Sequence, residues 1–181
     1  MFDNAKQLSD GEVFQAAIIL KSKMMFDFPA LRLHSSDDSN VQMQMRDKIL
    51  SIMQTLSEPH FRINKPAPKF ILNVLATGFA YFSIHIHAKW PSLIADTAAL
   101  FQSDVDRALV LLSILKYMAD DCDHESIVVE DSIRTSFFNY LDSQAAETVF
   151  KAIFNQWAEN ITLIQDAKKA AVLKGALLET F

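Results

Sequence analysis

The sequence predicts an all-α fold built as a stack of paired helices, and three observations carry that prediction. Only three glycines and five prolines occur in 181 residues, too few turn-formers for a many-stranded sheet but enough for a helical stack. Half of the residues are hydrophobic, which is ample for a core. Finally, Phe70 to Ile86 is apolar on nearly every side except a narrow line through Asn73 and Thr77. It is followed after Trp90-Pro91 by a shorter helical pattern on Leu93, Ile94, Thr97, Ala98, Leu100 and Phe101. A thick apolar helix, a short turn and a second helix form the unit of an α-solenoid, in which neighbours on both sides cover what one pair cannot.

The elements follow in order. Ser9-Asp10-Gly11-Glu12 has the spacing of a capping box and predicts a helix start. Val13, Ala17, Leu20 and Met24 then form one apolar line, widened by Phe14 and Ile18, and Pro29 is expected to end the helix. Arg32–Asn40, rich in Ser and Asp, reads as a mobile polar connector. Ser39-Asn40-Val41-Gln42 is expected to open a second helix running to about Ser57. On it Met45, Ile49, Ile52 and Leu56 point inward with Leu50 and Met53, while Gln44, Asp47, Lys48, Ser51 and Thr55 make a polar line. Two prolines within Arg62–Pro68 lead into the central helix.

Ser103-Asp104-Val105-Asp106 caps the next helix, apolar through Val105, Leu109, Leu112 and Leu115 and again through Val110, Ile114 and Tyr117, with the acidic run Asp120–Glu125 as its exit. Ile127–Leu141 carries Val129, Ile133, Phe137 and Tyr140 on one line, with Glu130, Asp131 and Arg134 outside. A further helix bears a wide stripe of Ala146, Val149, Phe150, Ile153, Phe154, Trp157 and Ile161. The last, about Thr162 to Leu178, is lighter, with Ala167, Ala170, Ala171, Leu177 and Leu178. The heavier helices open near Glu12, Pro68, Val105 and Ala145, so the later spacings approach the roughly 40–47 residues of HEAT-type pairs. The first interval is longer because of the two connectors. The expected pairs are about 12–57, 68–102, 104–141 and 145–180 in a single α-solenoid segment, an α-α superhelix of the HEAT/armadillo kind. Neither end reads as a polar cap, which suggests a piece of a longer solenoid.

The totals narrow the function. A net charge of −5 disfavours general nucleic-acid binding and is compatible with basic protein partners. The lone Cys122 excludes an intrachain disulfide and fits a reducing compartment. No signal-peptide pattern opens the chain, and Phe70–Ile86, interrupted by Asn73, Thr77, Ser83 and His85, reads as a buried helix rather than a membrane span.

Chemistry is sparse. His85 and His87, two apart on a helix, point about 200° apart and cannot share a metal, so they read as core-edge or surface residues. Asp120-Asp121-Cys122-Asp123-His124-Glu125 lacks the glycine and alternation of a calcium loop, and one Cys beside one His is no zinc set. There is no Gly-rich phosphate loop, His-Glu-x-x-His or Gly-x-Ser-x-Gly elbow. The aromatics Phe137, Phe138, Phe150, Phe154 and Trp157 fall at helical spacing and read as core rather than a base-stacking platform. The reading is therefore of a binding protein with no catalytic residues, metal or cofactor. The polar line Gln44, Asp47, Lys48, Ser51 is its candidate contact surface, because the second helices of successive pairs line one side of a solenoid.

Phe14-Gln15-Ala16-Ala17 with Lys21-Ser22-Lys23, Arg46-Asp47-Lys48-Ile49-Leu50 with Met53-Gln54-Thr55-Leu56, Leu75–Phe82 leading to Trp90, and Leu109–Leu115 together resemble the N-terminal repeats of importin-β-like nuclear transport receptors (karyopherins), in the transportin-SR / importin-13-like branch. The resemblance spans about Val13 to Trp157. It implies a HEAT superhelix that carries protein cargo, basic or Arg/Ser-rich, through nuclear pores by way of pore proteins, between cytoplasm and nucleus, switched by the GTP form of the GTPase Ran. Carried over by position, Asp47 and Lys48 on Val41–Ser57 and Asp96 on Trp90–Phe101 are the expected contacts for Ran. No direct nucleic-acid contact, membrane insertion or cofactor is implied. The family's first helix pair is missing from the match and its arch is several times longer, so this chain would hold part of such a surface. A HEAT scaffold or regulatory subunit unrelated to transport is the alternative.

Overall fold

The computed structural model describes residues 7–27, 38–58, 61, 66–123 and 129–180. Among these residues the regular structure is all helical, with no strand. The α-helices are α1 (Asp10–Ser22), α2 (Asp38–Ser57), α3 (Lys69–Ile86), α4 (Leu93–Phe101), α5 (Val105–Asp123), α6 (Asp131–Leu141), α7 (Gln144–Asn160) and α8 (Ala167–Thr180).

The capping box opens α1 as expected. Ser9 Oγ accepts from the Glu12 amide at 3.3 Å while the Ser9 amide donates to Glu12 Oε2 at 2.8 Å. That carboxylate is held below its usual pKa by the Ser9 hydroxyl first and the Ser9 amide second. The far end of α1 widens into a π-helical turn at Lys23–Asp27, and Pro29, expected to end the helix, lies outside the described residues. Most of the Arg32–Asn40 connector lies outside them too, but α2 already includes Asp38, so Ser39 and Asn40 sit inside the first turn rather than before it.

Two later boundaries also differ. α6 begins at Asp131, not Ile127, with Val129 and Glu130 still outside the helix ahead of it, and residues 127 and 128 lie outside the described residues. α8 begins at Ala167, because Asp166 Oδ1 accepts from the amides of Lys168 and Lys169 at 2.9 and 3.2 Å and so caps it. Thr162, expected to start it, lies instead in a separate 3₁₀ turn, Ile161–Leu163.

One row of helices runs side by side in a common direction. Phe14 meets the Phe70 ring edge-on at 5.1 Å and Lys21 and Met24 lie against Gly78, which sets α1 parallel to α3. Asn73 and Ser113 face one another between α3 and α5. Lys169 reaches Asp106 at 2.9 Å and Lys116 reaches Glu179 at 3.0 Å, setting α8 parallel to α5. The row is therefore α1, α3, α5, α8. Because α3 has a neighbour on each flank, its apolar character on several sides is satisfied: Ile71, Leu75, Phe79, Phe82, Ile84 and Ile86 are fully buried. The stretch Lys69–Lys89 is long and apolar enough to cross a membrane by length and composition, so length alone does not separate the two readings. Its burial, 78 % of an 18-residue apolar window within it, is what marks a core helix.

A second row covers the first. α2 meets α4 and its entry, where Lys89 Nζ donates to Gln42 Oε1 at 2.8 Å and Gln54 Nε2 to the Leu100 carbonyl at 3.5 Å. α7 packs on α4 and turns back through the 3₁₀ turn into α8. α6 lies across the exit of α3 and the entry of α4. There His87 Nδ1–H donates to the Ile84 carbonyl at 2.7 Å, which leaves Nε2 to accept from Ser136 Oγ at 2.9 Å. The Ile94 amide donates to the Tyr140 hydroxyl at 3.1 Å.

The two histidines read from sequence as core-edge or surface are both buried. Within the expected fourth pair, the helix beside α5 is α8 and not the heavier α7. Ala170, Leu173, Ala176 and Leu177 make a narrow face that fits the slot along α5. The wide stripe of α7, with Ala146, Ile153 and Trp157 buried, needs the broader seat offered by α4 and α6.

Candidate functional site

α2 presents two opposed faces. Gln42, Ile49, Leu50, Met53 and Leu56 are buried, and Met45 and Ile52 are half-buried at the margin. On the far side Gln44, Asp47, Lys48 and Ser51, spaced by three and four residues, are all exposed on one line. The sequence-predicted polar line is thus a solvated face except at Thr55, which is half-buried and donates to the Ser51 carbonyl at 2.9 Å.

Asp96, on the other predicted element, is joined to that face through two residues. Trp90 is buried, edge-on to Phe79 at 6.3 Å, which fixes its ring against α3. Its Nε1–H donates to Asp96 Oδ2 at 2.6 Å, and Ser92 Oγ donates to the same oxygen at 2.7 Å. These two bonds, the indole first, hold the Asp96 carboxyl below its usual range, with the Arg46 charge adding to the effect. Arg46 lies over the Trp90 ring, its guanidinium carbon 4.7 Å from the ring centre. The same guanidinium reaches Asp47 Oδ1 at 2.8 Å from Nε and at 2.7 Å from the nearer terminal nitrogen. The chain Asp47, Arg46, Trp90, Asp96 therefore crosses from α2 to the start of α4. A cation over an indole contributes roughly 0.5–2 kcal/mol depending on its desolvation.

The structure brings Asp47 and Asp96 to the two ends of one cluster, with Gln44, Lys48 and Ser51 along the adjoining edge. Sequence periodicity gave Arg46 no place on either face of its helix and missed it, with Trp90, as the connection. The signal was present in composition: an Arg beside Asp47 and a Trp six residues ahead of Asp96. Gln42 and Lys89 were missed as the second link between the two elements. The cluster offers fixed charges of both signs on a rigid base, which suits recognition of a complementary protein surface.

A second concavity lies between α7 and α8. This cavity of about 510 Å³ has walls of Leu141, Phe150, Phe154, Leu177 and Leu178, with Asp142, Glu147 and Lys151 at its rim. Lys151 bonds Glu147 and holds that carboxyl below its usual range. Among the described residues no three His, Cys, Asp or Glu side chains converge as metal ligands. The run after Asp120 lies outside the described side chains. Comparison with protein-family models, with curated proteins and with solved structures finds no match to this chain.

Proposed function

We propose that this chain is a helical-repeat segment of a nuclear transport receptor of the importin-β/transportin type, stacking HEAT-like pairs to bind GTP-loaded Ran, protein cargo or both. The observation that carries the reading is the cluster joining the exposed line of α2 to Asp96 through Arg46 and Trp90. It ties exposed charges on α2 and α4 together through a buried indole, and in this reading those two helices are the second helices of successive pairs, where a solenoid presents its binding face. The common direction of α1, α3, α5 and α8, backed by α2, α4 and α7, supports the stacked-pair architecture on which that role depends. Basic or Arg/Ser-rich cargo fits the net charge of −5.

The test is equilibrium binding of the longest expressed form of the protein to Ran loaded with a non-hydrolysable GTP analogue or with GDP. Binding to the GTP form alone, weakened at least about tenfold by Asp47→Lys and Lys48→Glu, is expected. Equal binding of both forms, or none, refutes the transport reading. The placement of α6 outside the strict alternation of rows favours a second reading, a scaffold or regulatory subunit unrelated to transport, which predicts no dependence on the nucleotide.

A further inference from the structure

On the solvent side of the row α3, α5, α8, away from the α2–α4 cluster, two concavities adjoin. One, about 210 Å³, lies between α3 and α5 over Pro66, Ala67, Leu72, Leu109 and Val110. The other, about 130 Å³, continues between α5 and α8 over Leu112, Tyr117, Ala176 and Thr180, with Lys116 and Glu179 at its edge. Lys69, Asn73 and Ser113 line both. The first is mainly apolar and the second mainly polar, so together they form one groove with two chemistries. Its length follows α5 from Asp106 to Tyr117, roughly 16 Å at the helical rise, which accommodates about five residues of extended chain.

At the junction the hydroxyl proton of Ser113 is spent and the Asn73 amide is largely not. Ser113 has one hydroxyl proton and donates it to the Leu109 carbonyl at 2.9 Å, so its approach to Asn73 Oδ1 at 3.5 Å is at most marginal. The Asn73 amide, inside α3 where Asn is a poor helix former, lines both concavities and keeps its two N–H donors and most of its acceptor capacity available there. The acids around it are committed elsewhere: Asp106 to Lys169 and Glu179 to Lys116. Lys69 has no acidic partner among the described residues. It also stands in the first turn of α3, the end of a helix where a cation is disfavoured, so stabilising its own helix does not explain it. The charged side chains lining the groove, Lys69 and Lys116 against Asp106 and Glu179, balance, and with Glu179 paired to Lys116 and Asp106 to Lys169 beyond the edge, Lys69 is the lining charge left without a counter-charge among the described residues.

We propose that this groove binds an extended peptide segment of a partner protein. An apolar side chain enters the pocket over Leu72, Leu109 and Val110, the peptide backbone pairs with the Asn73 amide through one N–H and one carbonyl, and an acidic side chain meets Lys69. The amide supplies affinity independent of sequence, and the pocket and the cation supply selectivity.

A random heptapeptide display library panned against the folded chain tests this. The expected result is enrichment of peptides with an acidic residue within three positions of an apolar one. Their affinity should fall at least about tenfold in Asn73→Leu and in Lys69→Glu, and be unchanged in Lys151→Glu at the α7–α8 cavity. Lys69→Glu places an acid in a first helical turn, where it is tolerated, so it reports on binding even where Asn73→Leu disturbs folding. No enrichment, enrichment of basic peptides, or peptides insensitive to Lys69→Glu overturns the proposal. Concentration-dependent self-association lost in Lys69→Glu would put a second copy in the groove and overturn it equally. The α2–α4 surface is untouched by these variants, so Ran binding reads out independently.

Discussion

Gly78 is where the row of helices is closest, and replacing it tests the packing directly. A Cβ built at Gly78 meets Met24 Cε at 2.6 Å, the Lys21 Cα at 3.0 Å and Lys21 Cγ at 3.2 Å. The Met24 side chain is flexible but fully buried, and the Lys21 Cα belongs to the backbone of α1. Two effects oppose one another in Gly78→Ala. Removing a mid-helix glycine favours α3 by about 1 kcal/mol. Forcing a methyl into a filled contact costs about 1–3 kcal/mol because α1 must move or Met24 must leave its rotamer. The overpacking wins, and a net loss of about 1 kcal/mol is expected. For a chain of this size that lowers Tm by roughly 2–4 °C. Gly78→Leu, which no adjustment of Met24 accommodates, should cost several times more. Urea unfolding followed by circular dichroism measures both, with the slope against denaturant unchanged if only stability moves. Should Gly78→Ala be more stable than the parent by the full helical preference, α1 and α3 do not approach as closely as described and the row is wrong.

The other predictions concern single links. Asp96→Asn weakens the bonds from Trp90 and Ser92, and because the folded carboxyl is depressed, its contribution is present at neutral pH and fades as acidification passes through that lowered value. The Tm difference between parent and Asp96→Asn should therefore shrink toward zero at low pH, and being an exposed group its size stays within about 1 kcal/mol. Tyr140→Phe leaves the Ile94 amide in the first turn of α4 without its acceptor, a loss of about 1 kcal/mol by chemical denaturation. Burial raises the Tyr140 phenol, so in the parent stability should fall as pH rises from the ordinary tyrosine range through the raised value, and Tyr140→Phe should flatten that alkaline limb. Ser136→Ala removes the partner of buried His87 Nε2 and should cost about 0.5–1.5 kcal/mol, whereas His87→Leu, which also frees the Ile84 carbonyl, should cost more in the same assay.

The helices themselves were legible in the amino-acid order, because each writes its own period and its own ends. The Ser9 and Glu12 box, the Asp104 cap of α5, whose Oδ1 accepts from the Arg107 amide at 3.0 Å, and the solvated line of α2 are local features decided within four residues of chain. Boundaries slipped where a competing local bond was stronger than the pattern, as at Asp166, which starts α8 later than its apolar residues suggested. Other matters depended on residues far apart in the chain, and no periodicity records them. That α8 rather than α7 takes the place beside α5 follows from the width of each apolar face against the slot available, a property of two helices together. That Arg46 lies over Trp90, and so ties Asp47 to Asp96, depends on Trp90 being pinned by Phe79. The need for glycine at residue 78 likewise arises from the backbone of α1, more than fifty residues earlier. Sequence by itself determined which segments are helical and the main apolar side of most, though Ile18, Phe138 and Leu178, read as apolar-side or core residues, are exposed. Tertiary packing alone decided which helices are neighbours, and with that which charges meet, because contact free energy depends on the shape of both partners at once.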